Sequence, residues 1–171
     1  AGHAQATHQE RHVGELYTAR KNVYIQTPYF TPDDSFFEAM RIAARAGVDV
    51  KLMLPGKPDH ASVQFASLSF AWECLNVGVK VYLYDGFLHA KTMVIDGEVA
   101  TIGSTNIGNR SFVMNFELNA FMHDREFAQE QERYFIEDLE RCTQISSDWF
   151  ENKNVFIRGA YSVARLFAPI M

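Results

Sequence analysis

Cysteine is scarce. The 171-residue chain has two, Cys74 and Cys142, neither in a CxxC pair nor beside a histidine. That spacing excludes a disulfide scaffold and a structural zinc site. No apolar run reaches the ~18–20 residues that cross a bilayer, and the N-terminus has no signal-peptide pattern. The reading is therefore a chain that does not itself span a membrane. Basic charge is the minority sign: 16 Lys and Arg against 21 Asp and Glu give a net charge of −5. A general nucleic-acid binder needs a basic footprint to release counterions, so this balance argues against that class. Apolar residues, by contrast, make up 47% of the chain, with 14 Phe. That is enough for one globular domain with a sizeable core.

Residues 1–12 are polar. His3, His8 and His12 are spaced five and four apart, which does not keep all three on one helical face, so a frayed terminus is expected rather than a metal tract. From Val13 the pattern becomes regular: Val13, Leu16, Tyr17 and Arg20 fit one helical stripe, and 22–28 is a β-rich run ended by proline. A helix is expected over about 31–47, capped by Thr31 or Asp33, buried along Phe36, Phe37, Met40 and Ala44, and ended by Gly47. A strand at 48–55, a loop, a mostly apolar helix at 61–77 and a strand at 79–85 complete two βα units. Two βα units followed by a third strand imply an α/β sandwich whose sheet is mixed, mostly parallel, with helices on both faces.

Residues 88–96 and 98–103 then read as a hairpin about Asp96-Gly97, the strongest short-range turn signal. A loop at 103–112, a strand at 114–123 and a long amphipathic helix at about 125–142 follow. The organisation reads as an N-terminal helix or tail (1–21), one catalytic domain (22–145) and a C-terminal amphipathic segment (146–171).

On a strand, His89 and Lys91 fall on one face, about 7 Å apart. Asp96, an odd number of residues away, points to the other face or sits in the turn, which suits a supporting role. Burying an ammonium without a partner costs several kcal/mol, so Lys91 must reach water, an acid or an anion. Beyond the hairpin, Ser104 and Asn106 are donors suited to phosphate oxygens. The strand at 114–123 places Asn115, Glu117 and Asn119 on one face, and Glu117 is the carboxylate that a catalytic imidazole needs to fix its tautomer. Around the motif there is no acidic cluster for a divalent cation, so the pattern reads as metal-independent phosphoryl chemistry, with no cofactor expected.

The stretch HAKTMVIDG followed by GSTN resembles the HxKxxxxD…GSxN pattern of the phospholipase D superfamily. From about residue 22 onward, the segments YIQTPYFTPDD, AGVDVKLMLPGKPDH, RSFVMNFELNAF and SVARLFAPIM are similar to the C-terminal half of bacterial cardiolipin synthases. The resemblance implies a phospholipase D-like sandwich. It also implies a phosphatidyltransferase that makes cardiolipin from two phosphatidylglycerol molecules and releases glycerol through a phosphatidyl-histidine. In it His89 either attacks phosphorus or protonates the leaving oxygen. Lys91, Ser104 and Asn106 contact the phosphate, Glu117 orients the histidine, and Asp96 supports. Gly108 departs from the Asp usual there. The family carries two such motifs and this chain carries one, so the partner implied is a second motif-bearing half or a homodimer mate. Phospholipids and the cytoplasmic-membrane surface are the other implied partners, and nucleic acid is not. The alternatives are a homodimeric metal-independent endonuclease or other phosphodiesterase, and a non-catalytic assembly domain.

Other residues have plainer readings. His60 sits in a loop where α/β sites open, Tyr29 and Phe30 follow the first strand and either line a pocket or pack, and His123 reads as a surface histidine. Cys74 reads as an inert core residue. The C-terminal stretch with Arg158 and Arg165 reads either as an interfacial helix or as a helix docked on protein.

Overall fold

A computed structural model of the chain describes residues 8–57, 59–108 and 117–152. In order, the elements are α1 (His8–Thr18), β1 (Asn22–Gln26), β2 (Phe30–Thr31), α2 (Asp34–Arg45), β3 (Asp49–Pro55), α3 (Ala61–Asn76), β4 (Lys80–Tyr84), β5 (Thr92–Ile95), β6 (Val99–Gly103), β7 (Ile107–Gly108), β8 (Asn119–Met122), α4 (Arg125–Leu139), β9 (Cys142–Ile145) and α5 (Ser147–Glu151). Seven strands form one sheet in the order β8-β6-β5-β1-β3-β4-β9. The two βα units place β1, β3 and β4 side by side and parallel. The sheet is mixed, as expected, and its parallel pairing is confined to this centre. β5, β6 and β8 continue it antiparallel on one side, and β9 closes the other edge antiparallel to β4.

Helices cover both faces, which is why β3 is buried along six consecutive residues. On one face Val23, Ile25, Val50, Leu52 and Val81 pack with Leu16 of α1, Phe36 and Met40 of α2, and Leu68 of α3. On the other, Tyr24, Met53 and Tyr84 pack against Phe135 of α4. Asp33 is the cap of α2, accepting from the Phe36 N–H at 3.0 Å, and Thr31 instead belongs to β2. Asp124 caps α4 in the same way.

Four differences from the sequence reading have physical causes. The terminus does not fray at 12: α1 begins at His8, and His12 is buried against Phe121 and Phe36. The long helix stops at Leu139, and Cys142–Ile145 turns back as an edge strand, because the exposed edge of β4 offers a free ladder to the chain that leaves α4. The loop after β6 contains β7, which pairs in parallel with β2 beside the main sheet. Within the described part of the strand expected at 114–123, β8 covers Asn119–Met122, while Asn115 lies outside the described residues, as does the C-terminal stretch with Arg158 and Arg165.

The edge of the parallel centre holds one ion-pair network. The Asp49 carboxylate accepts from Lys51 Nζ and from Lys80 Nζ (2.7 Å), and Lys51 also donates to the Tyr24 hydroxyl at 3.1 Å. Burial pushes the Asp49 carboxyl up, but the two ammonium groups outweigh it and hold it below the usual carboxylate range. A lowered folded-state pKa contributes stability above the unfolded value, and that stability is lost as pH falls through the folded pKa. Asp49→Asn should therefore cost about 2 kcal/mol at pH 7, less than a fully buried pair because the Asp49 side chain keeps 32% exposure. The deficit should shrink as pH falls through the carboxylate range, where the wild type loses the same interaction. Urea melts at pH 7 and pH 3 measure both.

Candidate functional site

The sheet directions bring the motif residues to one end of the molecule. Tyr29 follows β1, Asp59 follows β3 and His89 follows β4, all at the carboxyl ends of parallel strands, where α/β folds open their clefts. β5 runs the opposite way, so Lys91, just before it, lies at the same end. β6 runs with β1, so Ser104 and Asn106 leave at that end too, and Glu117 approaches it before β8.

His89 and Lys91 are not strand residues, since β5 starts at Thr92. The segment between β4 and β5 is free of ladder bonds at His89, and this leaves the imidazole exposed. Its ring is held by aromatic contacts: Phe87 stacks on it at 5.7 Å and 10°, and Tyr29 meets it edge-on at 6.1 Å. Phe87 is missing from the sequence reading. An aromatic residue two positions before a histidine is a weak signal, and here it is 73% exposed, so neither periodicity nor burial marks it. The Lys91 ammonium donates to the His89 carbonyl at 2.9 Å, which folds the side chain back along its own segment. Burial lowers the Lys91 pKa, while the carboxylates of Glu117 and Asp59 pull it back up. Glu117 thus acts at the Lys91 end of the site, on an extended segment before β8.

Asp59 is a carboxylate that sequence reasoning passed over. Its side chain accepts from the Tyr29 hydroxyl at 2.5 Å and from the His60 N–H at 2.8 Å. Burial and the bond to Asp59 push the Tyr29 phenol up to about 12, and that bond in turn holds Asp59 low. His60 itself is exposed and precedes α3. Phe30, by contrast, is wholly buried in the core. His123 lies at the surface, its Nε2 3.3 Å from Glu15, and burial pushes the Cys74 thiol up, as an inert core thiol requires.

The loop after β6 owes its path to Gly103. A Cβ there would sit 1.7 Å from Asn119 Oδ1 and 2.2 Å from the Leu118 carbonyl, so only glycine allows the two segments to cross. Immediately after it, the Ser104 N–H donates to the Leu118 carbonyl at 2.9 Å and the Ser104 hydroxyl accepts from the Leu118 N–H at 3.0 Å. Asn106 Oδ1 is buried with no hydrogen-bond partner among the described residues, an acceptor held in reserve at the motif's second half. Gly108 pairs with Thr31 so closely that a Cβ would lie 2.4 Å from the Thr31 hydroxyl, which accounts locally for glycine at this departure from the family pattern.

Asp96 is the one motif residue the structure does not bring to the cleft. It sits at φ +57 in the hairpin turn, followed by Gly97 at φ +62, at the far end of β5. Its carboxylate accepts from the backbone N–H groups of Arg20 (2.8 Å), Lys21 (2.7 Å) and Asn22 (3.0 Å). These bonds make Asp96 an anchor between the hairpin turn and the start of β1. The seven-stranded sheet, the motif loop and this anchor together form a recognisable arrangement. A sequence profile described as "Cardiolipin synthase, PLD-like domain" matches residues 13–139. The chain belongs to that family.

Curated relatives agree with the membership, and solved structures share the fold. A cardiolipin synthase of Listeria monocytogenes is 43% identical over 157 residues, which is 91% of this chain and 33% of the relative. The chain thus spans about a third of the length of the curated relatives it matches. The phospholipase D family member Nuc from Salmonella typhimurium shares the fold at a TM-score of 0.69 and 18% identity, over 80% of this chain and 90% of Nuc. A phosphatidylserine synthase of Haemophilus influenzae does so at 0.69 and 14%, over 94% of this chain and 42% of its own.

Asp96→Asn tests the anchor. Asparagine tolerates the left-handed turn but offers one weaker acceptor to three N–H groups, so stability should fall by about 1–2 kcal/mol. Urea denaturation reads the loss; an unchanged midpoint and slope would mean the three bonds contribute nothing.

Proposed function

We propose that the chain is one motif-bearing part of a phosphatidyltransferase that joins two phosphatidylglycerol molecules into cardiolipin and releases glycerol. The observation that carries this reading is the 43% identity to a cardiolipin synthase across 91% of the chain, with the motif histidine exposed among phosphate-suited donors. Chemically, phosphoryl transfer from a diester needs a nucleophile, an acid for the departing alkoxide and charge relief on the equatorial oxygens. His89 takes one of the first two roles. If it attacks, its ring nitrogen bonds to phosphorus, the P–O bond to glycerol breaks, and the opposing motif's histidine hands the alkoxide a proton. That second histidine then removes the proton from the hydroxyl of the incoming lipid, whose oxygen displaces the ring nitrogen.

Lys91 and Asn106, with Ser104 beside them, supply the charge and hydrogen bonds for the phosphate oxygens. The partly desolvated Lys91 ammonium gains most from an anion, because burial already disfavours it alone. Glu117 orients the imidazole. Among the described residues no helix is long and apolar enough to cross a membrane.

Three outcomes test it. His89→Ala should abolish transfer from phosphatidylglycerol in the two-motif enzyme with folding intact, and near-full turnover would remove His89 from the chemistry. Glu117→Gln should cost roughly tenfold or more in kcat, by analogy with loss of a carboxylate behind a catalytic imidazole; unchanged kinetics would mean that it does not serve the imidazole. Activity should survive EDTA, and loss on chelation restored by one particular cation would overturn the metal-independent mechanism. Cleavage of single-stranded DNA in place of lipid transfer would favour the phosphodiesterase reading instead.

A further inference from the structure

A small cavity of about 10 Å³ lies just behind the phosphate-suited residues. Its polar walls include His12, Gln26, Lys91, Thr101, Thr105 and Asn119. Four observations distinguish it from a packing defect. Thr105, within the GSTN motif, is 5% exposed, and its Oγ1 has no hydrogen-bond partner among the described residues. Thr101 on β6 is buried, with its hydroxyl 3.4 Å from His12 Nε2. His12 itself is 6% exposed, its ring held between Phe121 and Phe36, so that α1 delivers a buried imidazole to this wall. Lys91 lines the same space.

Empty cavities in proteins are lined by apolar groups. A space of about one water's size, into which Thr105 presents a hydroxyl with no partner among the described residues, has what an internal water needs. We propose that this cavity binds one internal water that joins Thr105 to Thr101, His12 and the Lys91 segment, making Thr105 and His12 positioning residues for the phosphate-binding loop. The reasoning is one of satisfaction and geometry. Ser104 is tied to Leu118 by two backbone-directed bonds, but the next residue has only a long 3.5 Å contact from its N–H to Asn119 Oδ1. A water bonded to Thr105 Oγ1 supplies the missing tether on the inward side. It sets the loop that presents Asn106 against the segment that presents Lys91, two groups that must stand about a phosphate's width apart. α1, which reads in sequence as an N-terminal helix or tail, becomes the back wall of the site. This role rests on the phosphate-site reading above; the water itself does not.

Thr105→Val removes the hydroxyl at nearly constant shape, Thr105→Ser keeps it, and His12→Phe keeps the ring packing while removing the nitrogens. Three measurements on the chain suffice: a high-resolution crystal structure, the thermal midpoint, and affinity for inorganic phosphate by NMR titration. The expected result is density for a water within hydrogen-bond distance of Thr105 Oγ1 and of Thr101 or His12. Thr105→Val should lower Tm by about 2–4 °C, the scale for one lost hydrogen bond in a domain of this size. It should also weaken phosphate binding by roughly tenfold, with His12→Phe moving in the same direction and Thr105→Ser within about twofold of wild type. A dry cavity, or a Thr105→Val protein of equal or higher Tm, would overturn the water, because deleting an unsatisfied hydroxyl is neutral or stabilising. Water present with phosphate affinity unchanged in Thr105→Val would overturn the positioning role. Failure of the wild type to bind phosphate would instead remove the phosphate-site reading and the positioning role together, while density and Tm still decide the water.

Discussion

Three backbone N–H groups at residues 20–22 converge on the carboxylate of Asp96, and the geometry of the cleft depends on that junction. The Asp96 N–H returns the bond to the Asn22 carbonyl, so the hairpin turn and the start of β1 are locked reciprocally. From there β5 pairs with β1 in a register that matches Ile95 to Val23 and Thr92 to Gln26. Because strand register propagates rigidly, fixing the turn at one end of β5 fixes where Lys91 and His89 emerge at the other. An acid that touches no phosphate thus determines where the groups suited to phosphate stand.

The cleft end is built differently, from contacts that carry little burial. His89 is placed by ring contacts with Phe87 and Tyr29, Tyr29 by its bond to Asp59, and Lys91 by a bond to its neighbour's carbonyl. Behind these, Gln26 donates to Asp138 of α4 at 2.7 Å and accepts from Thr92 at 3.0 Å, joining the helix on one face to the first residue of β5. The core is therefore stiff up to the end of β1 and the start of β5, while the residues beyond are held by exposed aromatic and polar contacts. Phe87 and Leu118, the two most exposed large apolar side chains among the described residues, both sit next to site residues, His89 and Glu117 respectively.

Two carboxylates act on Lys91 from different elements, Glu117 before β8 and Asp59 after β3. Each offsets part of the burial that disfavours the ammonium. Asp59 also spends part of its capacity on Tyr29, which ties the wall of the cleft to its charge balance.

Much of this was legible in the residues alone. The βα units, the Asp96-Gly97 turn, a helix cap at Thr31 or Asp33 and the membership carried by HAKTMVID and GSTN all follow from local pattern and spacing. Tertiary structure alone decided the features that join distant segments: β9 finding the open edge of β4, β7 pairing with β2, His12 entering the core, Asp59 reaching Tyr29, and Phe87 stacking on His89. Such contacts depend on which surfaces remain uncovered once the sheet has formed, and a local window of sequence contains no information about a surface made by residues a hundred positions away. Side-chain chemistry and local spacing fixed which groups belong to the motif; the sheet order fixed which others stand beside them.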